Sequence, residues 1–303
     1  VGHLGLTLKH PFYAHFLVLI ATLLVAGSFI ASQQLVHTIN PISLTLLRFI
    51  CASLVLGPFV LSRKKWRLGL LSMFPKTMII SLFFSGFFIA LFESLKYTST
   101  LNTGTLYTLV PLVTACLCLI IFKQPIDKKR LLAYGLGAIG TCWVIFKADI
   151  NALLMFELNK GDLIFLAGSF SMCLYSVSMK YLYRGEEMIP LVFCTILGGV
   201  VWVSLALLIS GEPLEWQNLN VSLMGSMAYL VIGATVVTMY LYQKATVELG
   251  PNKVMAYSFL NPACLAILLF IFEDIKLEAI ILPGIVISLF ATLVLQINAQ
   301  PKQ

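Results

Sequence analysis

The sequence predicts an all-α integral membrane protein, with ten transmembrane helices arranged as two inverted five-helix repeats. Three observations carry that expectation. Of 303 residues, 59% are hydrophobic and 11% are charged, against a charged share of ~25% in ordinary soluble domains. The apolar residues come in runs close to the ~20 residues that cross a ~30 Å hydrocarbon layer, with the charges gathered between them. Shifting the first half by about 150 residues lays Pro41 near Pro190, Pro111 near Pro262, and Leu106–Tyr107–Thr108 near Ala256–Tyr257–Ser258, the mark of an internal repeat.

Taken in order, His3 to His15 form a weakly basic leader before an apolar run, Phe16 to Ile30, that continues toward Leu35. The small residues Ala26 to Ser28 would suit signal cleavage, but the length of the run and its place in the repeat favour a retained first helix. After the turn His37 to Pro41, a second span runs from about Ile42 to Leu61 and stops at Arg63, Lys64, Lys65 and Arg67. A third runs from about Thr77 to Leu95. The fourth, Leu101 to Phe122, carries no charge and holds Pro111 in its middle. That proline lacks an N–H and frees a carbonyl that hydrocarbon cannot satisfy, so the site must face protein, water or a ligand. The fifth span is Leu131 to Phe146.

A polar linker, Lys147 to Lys160, then marks a boundary. Residues 1–147 are expected to form the first repeat, 148–160 the linker and 161–303 the second repeat. The remaining spans are Asp162 to Leu182, Pro190 to Ile209, Val221 to Tyr242, Val254 to Phe272 and Leu277 to Ile297. Five is odd, so the second half enters the membrane upside down, related to the first by a two-fold axis in the membrane plane.

The net charge of +7 raises nucleic acid as a partner. The basic residues form short clusters between apolar runs and no continuous stripe, so the lipid bilayer, with its anionic leaflet, accounts for them better. With the N-terminus in the cytoplasm, fifteen of the twenty Lys and Arg fall in inside segments; Lys96, Lys147, Lys160 and Lys276 fall outside, and Arg48 lies within the second span. Both termini are therefore expected to be cytoplasmic. All seven cysteines sit in apolar runs without metal or disulfide spacing and read as core residues.

Several motifs carry a family resemblance. Leu95 to Ser99 (LKYTS), Leu106 to Pro111 (LYTLVP) and the basic turn after Phe122 resemble the fourth-helix region of the EamA family of the drug/metabolite transporter superfamily. Leu47–Arg48–Phe49 looks like that family's Arg-Phe signature. Gly161–Asp162–Leu163, followed by Leu174 to Val177, resembles the opening of its second repeat, and Leu249–Gly250–Pro251 with Asn261–Pro262 is similar to the counterpart of the fourth-helix region. The likeness spans nearly the whole chain. It departs where the family places a Gly-Glu pair after the fourth helix; Lys123–Gln124 stand there, which puts a role for that carboxylate in doubt. The ninth span, ending Phe272–Glu273–Asp274, also runs slightly short. The resemblance implies a secondary transporter of the bacterial inner membrane that exports amino acids, related metabolites or drugs, with protons as one candidate driving partner. The fold fixes the substrate far less well.

Among residues that might carry chemistry, Glu93 stands inside the third span, and an ionised group at depth is a functional candidate by default. A coupling role competes with a local ion pair to Lys96 at i,i+3. Arg48 suits either an anionic substrate or the anchoring of carbonyls, and Lys180 reads as a snorkelling cation. The expected substrate-binding set is Tyr107, Thr108, Tyr175, Tyr257, Ser258 and Asn261, near the two prolines or midway along the sixth span. Helical spacing puts Tyr257 and Asn261 on one face, and Ser171 with Tyr175 on another. Each could instead be an interhelical hydrogen-bond partner. Gly135, Gly137, Gly140, Gly198 and Gly199 suit close helix packing.

The sequence offers no catalytic set, metal site or cofactor motif. Its histidines, His3, His10, His15 and His37, lie at the N-terminus or first outer turn, there is no HExxH or GxSxG, and no glycine cluster has the setting of a nucleotide loop. A transporter is the leading expectation, and an intramembrane enzyme or a scaffold without translocation is the alternative. A channel lacks both an acidic ring and a carbonyl filter.

Overall fold

The computed structural model describes residues 11–36, 38–98, 100–155, 158–272 and 278–297. Helix α1 spans Pro11–Val36, and α2, Pro41–Ser62, starts where the Asn40 side chain accepts from the Ile42 and Ser43 amides. Only Arg63 separates α2 from α3, Lys64–Ser94. At 31 residues α3 is ~46 Å long and begins well before the expected Thr77. The reason is amphipathic: Trp66 turns inward onto Val60 and Phe193 while the neighbouring cations stay exposed, so the basic segment remains helical.

The fourth span is two helices, α4 (Thr100–Tyr107) and α5 (Val110–Phe122), with Pro111 in the first turn of α5. Then come α6 (Lys128–Ile145), capped by Asp127, and a short α7 (Ile150–Leu154) inside the linker. Helix α8, Lys160–Leu182, opens with an Asn159/Asp162 capping box, and α9, Met188–Ser210, closes on Gly211 at φ 66°. The eighth span is continuous but irregular: α10 (Met224–Val231), a π-helical segment (Ile232–Val237) and α11 (Thr238–Leu249). The ninth mirrors the fourth, with α12 (Pro251–Ala256), a 3-10 turn (Tyr257–Leu260) and α13 (Asn261–Phe272). Helix α14, Leu282–Ile297, is the last among the described residues.

Among the described residues, nine segments are long and apolar enough to cross a membrane. The expected fifth span is α6, 18 residues whose first turn is Lys128–Lys129–Arg130; those three cations set it apart from the other nine. Large apolar side chains such as Leu54, Phe59, Leu132, Leu208 and Val221 point outward around the bundle, the surface a lipid-embedded protein presents. Lys9, Lys276 and Lys302, the helix end at Glu273–Asp274, and His3, His10 and His37 lie outside the described residues.

Helix α3 packs on α8 and α9, α2 on α9, α1 on α11 and α13, and α6 on α14. Close approach at α6/α14 depends on glycine: a Cβ on Gly284 would stand 2.7 Å from the Gly140 carbonyl oxygen. Gly137, Gly198 and Gly199 also face neighbours that a Cβ would strike, whereas Gly135 looks onto open space and does no such work.

Ion pairs tie the two ends of the bundle. At the basic end, Lys65 binds Glu187 at 2.6 Å, and Lys76 pairs with Glu186. At the opposite end, Lys96 bridges Glu93 and Glu212 at 2.9 and 3.0 Å, and Asn40 donates to Glu212 and Glu215. Two further bonds, Ser43 Oγ to the Leu214 carbonyl and Trp216 Nε1 to the Ser43 carbonyl, stitch the segment after α9 onto the start of α2.

Candidate functional site

The two broken spans meet. Val110, at the start of α5, packs with Cys173 of α8 and Met255 of α12, and Ala115 packs with Ala256 and Phe259. Asn252 donates to Gln124 at 3.0 Å, joining the start of α12 to the end of α5. A helix break leaves carbonyls without intrahelical partners, and in an apolar bundle such backbone persists only against protein or a polar space.

Tyr107 lies at the first break. Its ring sits 5.8 Å from that of Phe87 and 6.3 Å from that of Phe165, and no protein group among the described residues bonds its hydroxyl. The Tyr175 ring, on α8, lies 4.9 Å from that of Phe84, tilted by 44°. Tyr242, on α11, lies within electrostatic reach of both and packs in the same cluster as Tyr257. Tyr107 and Tyr242 are each partly exposed. Tyr257 is 3.1 Å from His15 Nδ1 of α1.

The other expected site residues are placed differently. Thr108 Oγ1 donates to the Thr105 carbonyl at 2.7 Å and sits beside Cys142 of α6. Ser258 Oγ and Asn261 Oδ1 are sealed from solvent and unbonded among the described residues. The alignment of Tyr257 with Asn261 on one helical face is not kept, because a 3-10 turn advances ~120° per residue. Ser171 donates to the Phe83 carbonyl at 2.9 Å, so of the Ser171/Tyr175 pair only Tyr175 belongs to the aromatic cluster.

Glu93 stands at the end of α3 with its carboxylate 2.9 Å from Lys96 and its side chain 38% exposed, the geometry of the local ion pair. Lys180 is half-buried and donates to the Val247 carbonyl of α11 in place of reaching the surface. Arg48 is 6% exposed; its Nε and Nη2 donate to Thr235 Oγ1 at 3.3 and 3.1 Å, and its guanidinium lies 5.6 Å from the centre of the Phe88 ring.

Sequence reasoning missed three participants. Gln243 is fully buried and approaches the Tyr175 hydroxyl without closing a hydrogen bond; neither its oxygen nor its nitrogen is bonded among the described residues. A Gln eight residues beyond Thr235 on an apolar span was a readable signal. Tyr242 was passed over because it stood at the expected end of the eighth span, which in fact runs on to Leu249. His15 was read as leader, but α1 already begins at Pro11.

A separate groove of about 400 Å³ lies between α3, α5 and α8, lined by Phe83, Ile121, Leu174, Val177, Ser178 and Tyr181. Its rim residues Ile121 and Tyr181 are exposed on the apolar flank of the bundle, and it contains none of the expected site residues. No three His, Cys, Asp or Glu side chains cluster as metal ligands among the described residues.

Comparison with known proteins places this arrangement in a family. A model of the EamA-like transporter family matches residues 12–146 and again 159–297. The chain is 28% identical over 193 residues to the uncharacterized transporter YyaM of Bacillus subtilis (strain 168); the match covers 63% of this chain and 62% of that relative's length. A solved crystal structure, 18% identical, superposes with a TM-score of 0.76 over 93% of this chain and 96% of its own. That likeness concerns the fold alone.

Proposed function

This chain belongs to the EamA-like transporter family, with two EamA domains in one multi-pass membrane protein, and from that premise we propose that it is a secondary exporter of small amphipathic metabolites, amino acids among them, working by alternating access. In this reading residues 1–147 and 161–303 are inverted repeats, α6 completes a set of ten spans, and both termini are cytoplasmic. The family match in two segments supports the repeat, and the charge bias supports the orientation.

The observation that carries the reading is the pair of matched breaks, at 108–109 and at 257–260, in two spans that pack on each other through α5 and α12. A scaffold has no use for two interrupted helices in apolar surroundings. A carrier uses them to present polar groups at mid-membrane. Around them, Tyr107, Tyr175 and Tyr242 offer rings, and Tyr107 and Gln243 offer polar atoms unbonded among the described residues, while the Tyr242 hydroxyl meets Thr22 Oγ1 at 3.3 Å; such a surface suits a molecule with an apolar body and a few polar groups. Tyr257, Ser258, Asn261 and Thr108 line or support the same breaks. In this reading the bonds joining Lys96, Glu93, Glu212 and Asn40 close the far end, and access to the cavity is from the basic end. Glu93 belongs to that closure, and the geometry supports its local pair over proton coupling.

A thermal-shift screen of the purified protein against metabolites identifies compounds that bind the native state. A stabilising compound should then show counterflow in proteoliposomes and emerge chemically unchanged. Chemical conversion of the compound, or binding without flux, would favour the enzyme or scaffold alternative.

A further inference from the structure

Arg48 is a cation buried in an apolar bundle, with no counter-ion among the described residues. No carboxylate among the described residues lies within ion-pairing distance of it; Lys65, Lys76, Lys96 and Lys147 take the acidic partners. A guanidinium has five N–H donors. Nε and Nη2 share one acceptor, Thr235 Oγ1, which leaves the Nη1 side of the fork without a partner. Nη1 is not among the buried atoms that are both sealed and unbonded, so that side of the fork keeps some accessible surface.

The surroundings look arranged to hold the group still. The Thr235 hydroxyl donates its own proton to the Leu230 carbonyl at 2.7 Å, so its oxygen is left as an acceptor for Arg48. Thr235 lies in the π-helical segment Ile232–Val237, a wide turn that is rare in helices and frequent at functional sites. The Phe88 ring supports the guanidinium from one face. From Phe88 an aromatic path runs to Phe84 at 5.1 Å and on to Tyr175 at 4.9 Å, and through Phe87 to Tyr107 at 5.4 and 5.8 Å. Arg48 therefore stands at one end of the wall that carries the tyrosine cluster.

We propose that the Arg48 guanidinium, positioned by Thr235, binds the carboxylate of the transported molecule, whose apolar body lies along the Phe84–Phe88 wall toward Tyr175 and Tyr107. A planar carboxylate matches the free fork with two parallel N–H···O bonds, and the apolar surroundings strengthen them. The proposal deepens the transport reading and rests on it. It predicts selectivity for anionic amphiphiles over their neutral counterparts, because an amide placed there would leave the charge uncompensated.

The test uses purified full-length protein and a panel of aromatic and aliphatic monocarboxylates, each paired with its primary amide. Thermal shift should show wild type stabilised by carboxylates and not by the matched amides. Arg48→Gln should weaken that binding about 10–100-fold, the range for a lost charged hydrogen bond. Should Arg48→Gln fail to yield folded protein, Arg48→Lys, which keeps the charge but not the planar fork, should remain folded and still weaken carboxylate binding. Amides that stabilise as well as acids, undiminished carboxylate binding in the folded variant, or no stabilisation by any acid would overturn the proposal. Counterflow distinguishes its failure from that of the transport reading. A neutral or cationic compound carried equally by wild type and Arg48→Gln sinks the Arg48 assignment and leaves transport standing. Carboxylate binding lost in Arg48→Gln, with no flux of any compound, does the reverse.

Discussion

Two tyrosines that read alike in sequence differ in what their hydroxyls do. Tyr107 has no hydrogen-bond partner among the described residues, while Tyr257 meets His15 at 3.1 Å. Tyr107→Phe should therefore leave thermal stability unchanged and weaken binding of a carried compound by about 1 kcal/mol, roughly fivefold in Kd. Tyr257→Phe should lower stability by about 1 kcal/mol as well. Denaturation and binding titrations of both variants separate the two effects; a stability loss confined to Tyr107→Phe would reverse the assignment. At Glu93, Glu93→Gln should leave the pH dependence of uptake as it is, since the carboxylate serves an exposed ion pair worth no more than ~1 kcal/mol. Abolished pH dependence would restore the coupling role. Glu187 gives a titration: hydrogen bonds from Lys65 and the Trp66 indole hold its carboxylate below the usual range. A depressed folded pKa means the contact persists above the ordinary glutamate value and is lost as pH falls through the lower, folded one. The fluorescence difference between wild type and Trp66→Phe should thus change with a midpoint below ~4.3, and a midpoint at or above that value would contradict the bond. The polar candidates beside the prolines were readable because buried polar groups are costly; which hydroxyls pointed inward was not, since it depends on the 3-10 and turn geometry at 257–260 and 108–109.

At the scale of elements, the helix breaks were the most legible feature. Pro111 and Pro262 each lie at the second position of a new helix segment, α5 and α13, where a missing N–H costs nothing. The starts expected near Ile42 and Asp162 fall within two residues of those of α2 and α8, at Pro41 and Lys160, where Asn40 and Asn159 supply caps of known chemistry. The early start of α3 was hidden by its charges, and the π-helical turn left no readable trace, being set by the Thr235 and Thr238 hydroxyls bonding carbonyls five residues back. The α6/α14 crossing yields its own prediction. Gly284→Val should destabilise the protein by about 1–3 kcal/mol through overpacking against Gly140, with Gly135→Ala as a silent control. Equal melting temperatures for the two variants would mean that this crossing does not hold the helices close.

For the whole molecule, composition and the half-chain repeat made the membrane class and the family legible, because a bilayer restricts a spanning chain to very few architectures. The state of the carrier was not legible. It resides in contacts between distant segments, such as Lys96 with Glu212 and Asn40 with Glu215, that no local pattern encodes. The charge bias predicts the orientation: reporter fusions after Arg67, Lys129 and Gln303 should report cytoplasm, and those after Asn40 and Glu215 the far side. The central claim is that Tyr107 lines a cavity opened alternately to the two sides, and a single cysteine at that position, in a background lacking the seven native thiols, tests it most directly. With the end around Lys96 closed, Tyr107→Cys in oriented proteoliposomes should react with a membrane-impermeant thiol reagent added on the cytoplasmic side. Adding Lys96→Ala to break that closure should make it react from the far side. A thiol that reacts from neither side, in either background, would contradict the account.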